Sequence, residues 1–180
     1  MSRPGDAEAV KLVMSVFSAQ SRLLNEATAE LSCRYGGIDF VSALIPFHYT
    51  DYYEQEMGSP LCRRFISFEN LVRPESLPDI KRATNALEEK YATGHRRQIN
   101  IDPGYISHAH LILATGKGYT HRPYLRDGIY ADLTLIYQSG TFQSLPWTYP
   151  DYAAKDTLAM FNIIRARYAL QAKTSRQAKI

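Results

Sequence analysis

The sequence predicts a mixed α/β domain. Short apolar runs rich in valine, isoleucine and phenylalanine alternate with longer stretches whose apolar residues recur every three or four positions. Glycine or proline punctuates most junctions between them. The 180 residues, 45% hydrophobic and 22% charged, suffice for one sizeable core and match an ordinary globular chain.

The first strand is read in "AVKLVMSVFS" (9–18), whose length and β-branching suit a buried strand. "SRLLNEATAELSCRYGG" then places Leu23, Leu24, Ala27, Leu31 and Tyr35 at helical spacing, with Ser21 as the expected cap and Gly36-Gly37 as the stop. "IDFVSALIPF" (38–47) is the second strand, Pro46 marking its end or an edge. A polar-aromatic connection (48–60) leads to a third strand, "LCRRFISFENL" (61–71). Leu61, Arg63, Phe65 and Ser67 share one face of it, and Arg64, Ile66 and Phe68 the other.

"RPESLPDIKRATNALEEKYATG" is the second helix. Pro78 sits in its first turn, Asp79 suits its positive end, Gly94 closes it, and Ile80, Ala83, Thr84, Leu87 and Tyr91 form the inner stripe. "RRQINID" (96–102) is the fourth strand. The order β-α-β-β-α-β is that of a ferredoxin-like unit.

The remainder reads as an extension. Asp102 and Pro103 are good helix-starting residues, so "YISHAHLILATGKG" is expected to be a short helix stopped by Gly116, although "HLIL" also fits a strand. "GIYADLTLIYQSGTFQSLPW" is a hairpin turning near Ser139-Gly140. "DYAAKDTLAMFNIIRARYALQ" is a final amphipathic helix with Leu158, Phe161, Ile164 and Tyr168 inward. A single domain over 9–170 is expected, with 1–8 and 171–180 as mobile termini.

The net charge of +3 is too small to argue for nucleic acid. Two cysteines without metal-ligand spacing fit a reduced setting, and no cofactor is implied. The start lacks a signal-peptide pattern, and no apolar run reaches the roughly 20 residues needed to span a bilayer. These features predict a cytoplasmic protein without a membrane partner. Tyrosine, at 13 residues, is the unusual count, and it serves polar pockets and half-buried strands alike.

Several motifs are weighed for chemistry. On a strand His108 and His110 would share a face and could chelate zinc; on the expected helix they diverge by roughly 200°, so the metal reading is weak. "LATGKGYT" lacks the GxxxxGK[ST] pattern of a phosphate loop. "HYT" (48–50) has no second such motif to face it, as two-histidine phosphoesterases require. "THRPYL" joins a titrating His121 to the permanent cation Arg122, although Arg122 also has Asp132 or Asp127 within reach as a structural partner. "DPGY" reads as a strand-to-helix corner where Asp102 and Tyr105 border a site, at the strand ends where ligands often bind.

Taken together, "PFHYTDYYEQEMGSPLCRRFISFENL", "RRQINIDPGY", "THRPYLRDGIYADLTLIY" and "LPWTYPDY" resemble the uncharacterised prokaryotic family called domain of unknown function 4416, from about Val10 to Phe161. The resemblance implies no activity. It marks Thr50, Asp51, Tyr52, Tyr53, Arg64, Arg97, Asn100, Asp102, Tyr105, His121, Arg122, Trp147, Tyr149 and Asp151 as belonging to shared motifs.

Two functional expectations follow. In the first, a polar pocket takes a small anionic molecule bearing phosphate or carboxylate. Arg64, Arg97, Arg122, Asn100, Tyr105, Thr50, Tyr52 and Tyr149 bind it, with His121 and Asp102 as acid and base if the protein is an enzyme. In the second, the tyrosine-rich connection and "WTYPDY" form a non-enzymatic docking surface for protein or RNA. RNA is disfavoured, because the sheet-face pattern of an RNA-recognition motif is absent.

Overall fold

The computed structural model describes residue 3 and residues 5–47 and 53–177. Among the described residues, nine strands form one antiparallel sheet: β1 (Val10–Ser18), β2 (Ile38–Val41), β3 (Ile45–Phe47), β4 (Leu61–Val72), β5 (Asn100–Ile106), β6 (His110–Thr115), β7 (Tyr124–Arg126), β8 (Ile129–Gln138) and β9 (Thr141–Ser144). Their spatial order is β2-β4-β1-β5-β6-β8-β7; β3 also pairs with β4, and β9 with β8. The helices are α1 (Ser21–Tyr35), α2 (Glu54–Met57), α3 (Leu77–Lys90), α4 (Pro150–Ala153) and α5 (Lys155–Gln177). The segment read as an extension of the first four strands continues their sheet through β6, β8, β7 and β9.

Alternation along the central strands builds two cores. Leu12, Met14 and Val16 of β1, with Ile66 and Phe68 of β4, pack beneath Leu24, Ala27 and Leu31 of α1 and Ile80 and Leu87 of α3. On the opposite face, Val13 and Phe65 join Ile106, Leu111 and Leu135 beneath Phe161, Ile164 and Tyr168 of α5. The sheet is thus sandwiched between helices, and β1 is buried along its whole length. The apolar stripes that predicted α1, α3 and α5 are the stripes that pack.

Several expectations need correction. The segment expected as a short helix before Gly116 is strand β6, because its apolar residues pair along β8, from His110↔Ile136 to Thr115↔Tyr130. Asp102-Pro103-Gly104-Tyr105 is not a corner but the middle of β5. Proline is tolerated there because the β5–β6 ladder covers only Gly104 to Ile106, so no bond to β6 is lost. Gly104 is required by close approach of that neighbour: a Cβ would sit 2.4 Å from the Ile112 carbonyl oxygen. The single strand expected over 38–47 is two short strands on one edge of β4.

At the helix ends, Ser21 is the first helical residue of α1 and Gln20 its N-cap, with no side-chain cap bond. α3 ends at Lys90, and Gly94 turns between the bridged residues Thr93 and Arg96. The final helix is interrupted at Ala154, whose extended backbone separates α4 from α5. α5 then runs on to Gln177; residues 178–180 lie outside the described residues. The turn at Ser139-Gly140 is where the sequence placed it, both residues at positive φ.

Candidate functional site

β5 and β6 part at Gly104, leaving the first residues of β5 without that neighbour, and a cleft of about 1300 Å³ opens at the split. α3 closes one side and α4 the other. A strand without its neighbour leaves backbone groups to satisfy. Ile101 lies beyond the end of the β5–β6 ladder, and α3 supplies the missing partners. The Ile101 N–H donates to Glu88 Oε1 (2.7 Å), and its carbonyl accepts from Lys81 Nζ (2.9 Å). Two charged side chains of one helix stand in for a strand.

A hydrogen-bonded chain continues from there. Lys81 Nζ also reaches Asp102 Oδ1 (3.4 Å). Asn100 Nδ2 donates to Asp102 Oδ2 (2.8 Å), and Arg97 Nη1 donates to Asn100 Oδ1 (3.0 Å). Arg97 holds Glu56 of α2 through a fork, Nε to Oε1 (2.9 Å) and Nη2 to Oε2 (2.7 Å). That bond draws the Glu56 carboxyl below its ordinary range. Glu88 goes the other way: it is 6% exposed, and burial pushes its carboxyl up to about 7. Lys81 and Arg97 oppose that rise, and the nearby Asp102 adds to it.

The opposite wall carries two further arginines. Arg63 of β4 is 5% exposed and bonded to Asp151 of α4. Its guanidinium lies among the rings of Phe17, Phe47, Phe65 and Tyr152, 4.3 Å from the Phe47 centroid at the closest. Burial drives the Tyr152 hydroxyl well above its usual range, so it stays protonated. Arg122 Nε bonds Asp132 Oδ2 (2.8 Å), its Nη2 bonds the Tyr149 hydroxyl (2.8 Å) and its Nη1 the Lys117 carbonyl (3.2 Å). Asp132 is the partner that the sequence offered for Arg122 in a structural role.

The cleft therefore gathers Arg97, Arg122, Asn100, Asp102 and Tyr149 among the residues singled out in the sequence. Arg64 lies on the opposite face of β4, donating to Asn25 Oδ1 (3.1 Å), and does not line the cavity. Tyr105 packs beside Leu77, Ala114 and Ile129 and does not line it either. His121 stacks on Trp147 (centroids 4.9 Å apart, planes at 14°), with Nε2 3.8 Å from Asp132 Oδ1; it too is absent from the lining. Thr50 and Tyr52 lie outside the described residues.

The sequence reading passed over Arg63, Lys81, Glu88 and Lys117. A signal existed for two of them: Lys81 and Glu88 are seven residues apart on one helix, hence on one side of it, next to the apolar stripe of Ile80 and Leu87. Among the described residues, no group of three or more His, Cys, Asp or Glu side chains is placed to hold a metal ion. No described helix is long and apolar enough to cross a membrane.

Fold and cleft define a mixed α/β protein with a charged cavity at the split in its sheet. The chain belongs to the family described as Domain of unknown function (DUF4416), which matches residues 8–168. No curated protein and no solved structure matches it.

Proposed function

We propose that the cleft binds a small molecule carrying a phosphate or carboxylate group. The carrying observation is convergence: Arg63, Lys81, Arg97, Lys117 and Arg122, from separate segments of the chain, line one cavity. Arg63, Arg97 and Arg122 are each held by a carboxylate, so little side-chain entropy is lost when a ligand arrives. The same carboxylates add a second demand. With Asp102, Asp132 and Asp151 in the lining, the ligand must offer hydrogen-bond donors as well as an anion, as a phosphorylated or carboxylated polyol does. Asp102 is the acceptor best placed for a ligand hydroxyl.

The half of the sheet ordered β5-β1-β4-β2, with α1 and α3 on one face, supports reading that part as a ferredoxin-like core to which β6–β9 were added. The added strands supply the second wall of the cleft.

The docking-surface reading is supported by the exposed rings of Tyr119, Tyr124, Trp147 and Tyr149. Against it, much of "WTYPDY" is turned inward: Trp147 Nε1 bonds the Leu133 carbonyl (2.8 Å), while Asp151 and Tyr152 are buried.

The test is thermal unfolding against inorganic phosphate, sulfate, sugar phosphates and hydroxy acids. At about 100 times its dissociation constant a ligand adds ~2.7 kcal/mol of stability. We expect one chemical class to do so, and Arg122→Ala to lose the effect. No shift from any class in the wild type would defeat the proposal.

A further inference from the structure

Among the described buried acids that line the cleft, Glu88 is the one with no cation at hydrogen-bond distance. Asp132, Asp151 and Glu56 each meet an arginine directly, at hydrogen-bond distance. Glu88 does not: its Oε1 accepts the Ile101 N–H, and its Oε2 stands 3.7 Å from Arg97 Nη1, beyond a hydrogen bond. It is a cavity-lining carboxyl buried to within a few per cent, facing Lys81 from its own helix, Asp102 from β5 and Arg97 from the preceding loop. Glu56 of α2 reaches this group only through Arg97.

We infer that Glu88 is the proton-exchanging group of the cleft, taking a proton from solvent when an anion enters and returning it when the anion leaves. This rests on the anion-binding reading above. An entering anion engages Arg97 and Lys81, the two cations that favour an ionised Glu88, and adds negative charge beside it. Both effects favour the neutral acid. The new O–H then offers a donor toward the anion, where the carboxylate could only repel it. Burial already holds Glu88 near neutrality, so the exchange falls at ordinary pH.

The test uses sulfate, which does not itself titrate near neutral pH. Calorimetric titration at pH 6, 7 and 8, in buffers of different ionisation enthalpy, reads affinity and protons together. We expect uptake of about half a proton per sulfate near pH 7 and weaker binding as pH rises, about tenfold between the limits for a one-unit upward shift on binding. Glu88→Gln should bind at every pH with the wild-type affinity of pH 6 and take up no proton. A carbon-13 titration of the wild-type glutamate carboxyls gives a check without a variant: one carboxyl titrates near neutrality and moves upward with sulfate. Sulfate binding without proton uptake, or a pH slope that persists in Glu88→Gln, overturns the inference and leaves the binding site standing. Absence of sulfate binding at every pH overturns both.

Discussion

Two buried cations sit on the same face of the same sheet and end in different surroundings. Lys11 of β1 and Arg63 of β4 both point to the side covered by α4 and α5, and each is bonded to one aspartate. At the Lys11 end, α5 seals the pair. The ammonium, fully buried, also donates to Gln171 Oε1 (2.7 Å), and Asp39 accepts from the Ser67 hydroxyl (2.5 Å) and receives Arg167 at its own carbonyl. At the Arg63 end the strands part, and the same kind of pair lines a cavity. The chemistry differs little. What differs is the cover: an unbroken helix at one end, a short helix and a split sheet at the other. A charge pair lines a cavity where the layers fail to close over it.

The largest effect should come from opening the sealed pair. Asp39→Ala leaves Lys11 buried without its counter-ion and should cost about 3–5 kcal/mol in urea unfolding, with no recovery on adding sulfate. The apolar double variant Lys11→Met/Asp39→Leu should recover most of that loss, since replacing both members of a buried pair is often close to neutral. Asp151→Ala at the open end should cost about 3 kcal/mol, and here millimolar sulfate should restore part of it by taking the place of the carboxylate. Equal rescue at both ends, or at neither, would erase the contrast.

Glu88 gives the next effect. Its folded-state carboxyl titrates at about 7, above the ordinary 4.5, so the folded protein holds a proton that the unfolded chain has lost between those values. Stability from this group is therefore complete at low pH and falls as pH rises toward and through 7. Glu88→Gln should gain on the wild type by about 3 kcal/mol between pH 4 and pH 8, read from urea midpoints at the two values. A constant difference across that range would show that Glu88 does not titrate there. The smallest change should be Tyr149→Phe, which removes one hydroxyl bond to Arg122 and should cost at most about 1 kcal/mol while weakening anion binding measurably.

The elements were legible where one period dominates. Leu24, Ala27 and Leu31, or Phe161, Ile164 and Tyr168, announce their helices because burial and spacing agree. "YISHAHLIL" misled because its apolar residues fit both periods, and only pairing with β8 selects the strand. The hairpin between β7 and β8 was overlooked although Asp127-Gly128 is a turn signal, and both residues take positive φ. Arg97, Asn100, Asp102, Arg122 and Tyr149 could be named from motifs. For Glu88 and Lys81 the spacing offered only a shared side of one helix; their role depends on a strand that is missing beside Ile101, an absence that no local pattern records.

By itself the sequence determined a mixed α/β chain, most of its strands, the inner faces of its main helices and about half of the charged residues that meet in the cleft. These follow from short-range rules: alternation, helical spacing and turn chemistry. Tertiary structure alone decided that the later strands extend the first sheet, that β5 and β6 part at Gly104, and that carboxylates clamp the arginines of the cleft. The physical reason is that a charge is defined by its surroundings. Lys11 and Arg63 are alike on paper, and they differ only in what packs over them.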